Sequence, residues 1–177
     1  TNCPDEPGTW VKKTITHRKH LVTGISGKKN FLALTFLKTR SSDKLTLMMQ
    51  VLQVFSTYHI KIENIPTSID TFSAVVEKNA VEEKYYDLIA DLKKIPGIQR
   101  IDEDEDLALL AVVGGNMVKK PGSSGTIIGV LGSNKINIKL IDQGLEEYNI
   151  ILGISNRDFD IAIRVLYDRF AHEKIED

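Results

Sequence analysis

The sequence repeats itself once, at a spacing of about 75 residues. Leu32-Ala33-Leu34 returns as Leu107-Ala108-Leu109, Ile60 to Ile65 returns as Ile136 to Ile141, and Phe72 to Val76 answers to Tyr148 to Leu152. Between these blocks, Val51-Leu52 and Val54-Phe55 match Ile127-Ile128 and Val130-Leu131. Blocks that share one offset mark a duplicated unit. Two copies are too few for a stacked solenoid, which needs roughly three, and each unit is long enough to be a small domain of its own.

Both copies carry the same alternation of patterns. Residues 31–37 form an apolar, β-rich run and read as a buried strand. After the turn-forming Ser41-Ser42-Asp43, Leu45, Met48, Met49, Leu52 and Phe55 recur at helical spacing. Strands are expected over 60–66 and 71–77, parted by Pro66-Thr67-Ser68. A second helix presents Val81, Tyr85, Leu88, Ile89 and Leu92, opened by Asn79 with Glu82 three residues on in a capping-box pattern, and Pro96-Gly97 stops it. Ile98 to Ile101 supplies a fourth strand, giving the ferredoxin-like order βαββαβ in an α+β fold.

The second copy offers strands 107–113, 136–142 and 148–154, a helix over 125–133, and a helix from about 158 to 170. Its buried face is marked by Phe159, Ala162, Ile163, Leu166 and Phe170. Only Ala171 to Asp177 remain, a poor core strand, so this copy is one strand short. His20 to Ile25, ahead of the first copy, is the spare segment that fills the gap. The expected division is residues 1–19 as a linker, 31–104 as the first module, and 20–30 with 105–177 as the second, so that the first is inserted into the second.

Several function classes drop out. A net charge of −1 gives no field for capturing nucleic acid or an anionic membrane. No apolar run approaches the roughly 20 residues that a membrane helix needs. The single Cys3 allows neither an intrachain disulfide nor a thiolate cluster, which fits a cytoplasmic location. His17, His20, His59 and His172 lack ligand spacing, so no metal is expected, and no nucleophile–base set suggests catalysis. Asp102, Asp104 and Asp106 begin like a calcium loop, but Leu107 and Val113 stand where the glycine and the bidentate acid belong. They read as a solvated charged loop.

Gly122-Ser123-Ser124-Gly125, ahead of a helix, lacks the Gly-Lys-Ser/Thr ending of a nucleotide loop. Such a strand-to-helix loop aims backbone amides at a helix N-terminus, a place that suits a carboxylate. Glu63, late in a predicted strand beside a turn, is either an exposed acid or a partner for the cation of a small ligand.

Over nearly its whole length the chain resembles the C-terminal regulatory region of aspartate kinases, with its tandem ACT domains. The resemblance is carried by Pro7-Gly8-Thr9, Val22 to Ser26, Ile60 to Ser68, Leu107 to Gly114, Ile136-Asn137-Ile138 and Ile141 to Gly144. It implies ACT modules, the first inserted into the second, that pair as a homodimer and bind an end-product amino acid such as lysine or threonine; lysine comes first because Glu63 could partner a side-chain ammonium. Feedback inhibition of aspartate phosphorylation in lysine, threonine and methionine biosynthesis would follow. The kinase domain, with its ATP and Mg, would lie N-terminal of Thr1, leaving no cofactor and no catalysis to this fragment. By position, the implied ligand site comprises Ser42, Asp43, Lys44, Leu45, Thr46 and Leu47 facing Lys61, Ile62, Glu63, Thr67 and Ser68. A second-module site would use Gly122, Ser123, Ser124, Gly125, Asn137 and Gln143. Two alternatives stand beside this: a dimerisation module without effector sensitivity, and an enzyme on a ferredoxin-like scaffold.

Overall fold

Two long strands organise the molecule, described here from a computed structural model over residues 21–118 and 120–170. In chain order the elements are β1 (Gly24–Lys38), α1 (Lys44–Thr57), β2 (Ile62–Asn64), β3 (Thr71–Glu77), α2 (Lys78–Val81), α3 (Tyr85–Lys93), β4 (Ile98–Val113), α4 (Ser123–Ser133), β5 (Ile138–Asp142), β6 (Asn149–Ile154) and α5 (Phe159–Phe170). The strands form one antiparallel sheet in the order β2-β3-β1-β4-β6-β5.

Each half of that sheet is a ferredoxin-like unit. Phe31 to Leu37 pairs with Thr71 to Glu77 on one side and, through the first half of β4, with Ile98 to Asp104 on the other. Gly24 to Lys28 lies beside Leu109 to Val113, the place of the strand that the second repeat lacked. The expected spare segment and first strand are therefore one element, as are the expected strands at 98–101 and 107–113. Insertion of the first module into the second follows from this continuity.

Continuity creates a problem of facing. Ile25 packs with the second-module core, whereas Leu32, Leu34 and Phe36 pack with the first, and the two sets differ in parity. A strand alternates its side chains with period two, so one extra residue is needed to keep both sets toward the helices. The register shifts between Lys28 and Phe31 and again before Ala33, placing one irregularity on each strand. Asn30 takes a left-handed φ of 67° at the first. Asn156 pins both: its side-chain Oδ1 accepts the Asn30 N–H at 2.9 Å, and its own N–H donates to Asp106 Oδ1 at 2.8 Å.

Two cores lie under the helices. Leu47, Val51 and Phe55 from α1 meet Leu88 and Leu92 from α3 over Leu34, Phe36 and Phe72. Ile127 and Leu131 from α4 meet Ala162, Leu166 and Phe170 from α5 over Leu110, Val112 and Leu152. Leu21 and Val22, buried just ahead of β1, close the second core. A third, smaller cluster of Phe31, Val75 and Leu107 lies on the other side of the sheet, where Asn64 Nδ2 of edge strand β2 donates to Asp142 Oδ2 of edge strand β5 at 2.6 Å.

Three local expectations are corrected. Asp102, Asp104 and Asp106 lie within β4, not in a loop. Alternation puts Asp104 on the face away from the helices, and Lys139 donates to both its oxygens at 3.1 and 2.9 Å, a local neutralisation that lets an acidic stretch remain a strand. The second helix of the first module does not open at Asn79 with a capping box. It starts at Lys78 after an uncapped Glu77, tightens into a 3-10 turn over Glu82–Lys84, and resumes at Tyr85. Strand β2 spans only Ile62–Asn64 within the expected 60–66, because His59 turns the chain with φ 54° and Pro66 carries no N–H for a ladder. The expected linker at 1–19 lies outside the described residues.

Candidate functional site

The two modules place a helix N-terminus at equivalent positions, and they treat it differently. At α1, Asp43 is the N-cap: its Oδ2 accepts the Thr46 N–H at 2.7 Å. That bond, first among several causes, holds the Asp43 carboxyl below the usual carboxylate range. The end of α1 therefore already carries its own anion. At α4 the N-cap is Gly122, at φ 86°, with no side chain to offer. Ser123 N–H reaches back to Lys120 O at 3.3 Å, and the amides of Ser124 and Gly125 have no partner among the described residues. A helix end left so is electropositive and short of acceptors.

Those amides border a cavity of about 490 Å³. Gly122, Ser123, Ser124 and Gly125 form one wall; Gln143, Gly144, Leu145 and Glu147 form the other, with Met117, Lys120 and Pro121 between. Ser124 Oγ donates to Gln143 Oε1 at 2.6 Å, which fixes the amide of Gln143 and leaves the Nε2 protons outside this bond. Ser123 is 5% exposed and its hydroxyl donates to Lys120 O, so it shapes the loop. The arrangement supplies donors for a carboxylate on one side, an acid, Glu147, on the other, and room for an aliphatic chain.

Five of the six second-module residues named from sequence meet here. Asn137 does not: it lies exposed just ahead of β5, outside the cavity wall. Sequence reading passed over Met117, Lys120 and Pro121, which precede the glycine motif, and Leu145 and Glu147, which follow Gln143 in the facing loop. Their signal was the shortness of the loop between β5 and β6, which forces residues 143–147 back over α4.

In the first module, Lys44 Nζ donates to Ser68 O at 2.8 Å, bringing the α1 loop against the Thr67-Ser68 turn as expected. Thr67 bridges to Phe72, and Ser42 Oγ bonds Thr39 Oγ1 at 2.7 Å. Leu47 is buried in the core and Ile62 packs against it, so only their backbones face any ligand, while Leu45 points to solvent. Glu63 is paired with Lys61 at 2.8 Å, and that pairing raises the Lys61 pKa. Among the described residues no group of histidine, cysteine and acids has metal-binding geometry, and no helix is long and apolar enough to cross a membrane.

Residues 110–170 match the family model of the ACT domain. That stretch carries the likeness to the ACT domain, and the first module repeats its order of strands and helices. The chain's homologues are aspartokinases. Aspartokinase 3 of Bacillus subtilis is 24% identical over 179 residues, 96% of this chain and 38% of the relative. The aspartate kinase structure from Clostridium acetobutylicum superposes with a TM-score of 0.88 at 30% identity, over 96% of this chain and 40% of that one. The regulatory subunit of aspartate kinase from Thermus flavus superposes with a TM-score of 0.69 at 18% identity, covering 84% of this chain and 97% of that subunit. The chain thus spans about two fifths of the Bacillus and Clostridium kinases and corresponds in fold to the regulatory subunit of aspartate kinase.

Proposed function

We propose that this ACT tandem senses an end-product amino acid, lysine in preference to threonine, and transmits its binding as feedback inhibition to an aspartate kinase domain. The observation that carries the reading is the uncapped N-terminus of α4 opening onto a cavity whose far wall holds an acid. An amino-acid carboxylate would accept from the Ser124 and Gly125 amides. A cationic side chain would run toward Glu147 and would have to draw that acid from its present partner. Here Glu147 takes the place that Glu63 held in the sequence argument for lysine over threonine. Inhibition requires only that the ligand favour one arrangement of the attached domains over another. Aspartokinase III of Escherichia coli, similar in fold at a TM-score of 0.72 and 20% identity, has been solved in complex with lysine and aspartate, which adds support. A homodimer formed through the ACT modules belongs to the same proposal.

In the first module a ligand carboxylate would have to displace Asp43, and a ligand ammonium would have to draw Glu63 from Lys61. These occupied partners favour a second reading for that module alone, assembly without sensing. Thermal unfolding of the chain with lysine, threonine and other amino acids tests the proposal. A saturable rise with lysine supports it; no rise with any amino acid, in a folded sample, leaves only assembly.

A further inference from the structure

A second cavity, of about 310 Å³, lies on the face of the sheet away from the helices. We propose that it is a separate small-molecule site for an uncharged, mainly apolar compound bearing one hydroxyl or carbonyl group, held between the two modules. For scale, a dry cavity of about 150 Å³ is enough to take up benzene.

The class of guest follows from which polar groups are already satisfied. About half of the wall is apolar, including Ala33 and Val75 on one module and Leu107 and Leu140 on the other. Lys139 borders the space, but its three ammonium protons are taken by Asp104 Oδ1 and Oδ2 and by Asp106 O at 2.6 Å. Asp104 Oδ1 also accepts the Asp106 N–H at 3.0 Å. This charged pair is internally neutralised, so a carboxylate or ammonium guest would have to break bonds already made. Burying a charge without a partner is costly, which excludes zwitterionic amino acids here.

One polar feature retains capacity. Thr35 Oγ1 and Ser73 Oγ, on adjacent strands, share a single hydrogen bond of 2.8 Å. Two hydroxyls that share one bond keep one proton and several lone pairs unused. Beside the apolar part of the wall, they offer one hydrogen bond to a guest hydroxyl or carbonyl. Because the wall draws on both modules, an occupant would also fix their mutual setting. The inference is independent of amino-acid sensing at α4.

The test is a titration with phenol, uncharged at neutral pH, followed by methyl NMR of the whole chain labelled at Ala, Ile, Leu and Val. The expected result is saturable shifts at Ala33, Val75, Leu107 and Leu140, absent when leucine is added instead. Replacing both hydroxyls (Thr35→Val with Ser73→Ala) keeps the volume nearly constant and should weaken phenol roughly 2- to 10-fold, the worth of one hydrogen bond. Ala33→Leu should remove binding by filling the space. Shifts that never saturate, or that spread evenly over surface methyls, overturn the site. Equal phenol affinity in the hydroxyl-free variant, or equal shifts with leucine, overturns the assigned ligand class.

Discussion

Ser124→Asp separates ligand binding from helix stability at one position. Residue 124 lies in the first turn of α4, where an acid favours the helix dipole by about 0.3–1 kcal/mol. Loss of the Ser124 hydroxyl bond to Gln143 costs a comparable 0.5–1.5 kcal/mol, roughly, so the unliganded variant should unfold within a few degrees of the parent. Ligand binding should respond far more. A carboxylate about 4 Å from the ligand's own meets a repulsion of roughly 1–4 kcal/mol as the effective dielectric constant runs from about 80 to 20. Affinity then falls roughly 5- to 1000-fold. In the parent chain, lysine at about 100 times its dissociation constant stabilises by about 2.7 kcal/mol, a rise of roughly 5–10 °C for a chain of this size. With affinity reduced about 100-fold, the same lysine concentration adds only about 0.4 kcal/mol, near 1 °C. Differential scanning fluorimetry across a lysine series reads both quantities. A full lysine shift in Ser124→Asp would refute the α4 assignment, as would its loss in Asp43→Asn, which alters only the α1 cap.

Three further outcomes follow from the fold. A Cβ added at Gly27 would stand 2.5 Å from Leu109 O and 2.8 Å from the Phe159 ring, so Gly27→Ala should destabilise by about 1–3 kcal/mol; an unchanged unfolding midpoint in urea would contradict the close packing of β1 on α5. Asn156→Ala should leave the Asn30 N–H without its acceptor and cost about 0.5–1.5 kcal/mol, with faster hydrogen exchange at residue 30 as the direct readout. The Tyr85 hydroxyl is pushed up to about 12, by burial first and by its hydrogen bond to Glu103 second. Its folded pKa exceeds the unfolded value near 10, so its contribution is fully present below about pH 10 and is lost as pH rises toward 12. Ultraviolet difference titration against Tyr85→Phe should place this midpoint near 12, and Glu103→Gln should lower it.

Much of the architecture was legible because it is written in period and repetition. Leu32, Leu34 and Phe36 alternate, Val51 and Phe55 recur at helical spacing, and the shared offset of the two copies exposes the missing strand. In the acidic stretch of β4 a local signal misled because a tertiary contact prevailed. The acidic run at 102–106 reads as a loop until Lys139, more than thirty residues away, is placed against it. The Asn79–Glu82 pair has the spacing of a capping box, yet the helix there starts at Lys78 and breaks into a 3-10 turn at Glu82.

The candidate site divides in the same way. The glycine-rich loop and the helix after it were visible as an anion-favouring end, because caps are local and depend on residues three or four apart. That α1 has filled its own end with Asp43 while α4 has not, and that residues 143–147 close a cavity over the open one, required coordinates. By itself the sequence determined the duplicated α+β units and their helical and strand faces. Only the tertiary structure decided which helix end stays free and which charges neutralise each other, because those outcomes depend on contacts between residues that backbone periodicity does not relate.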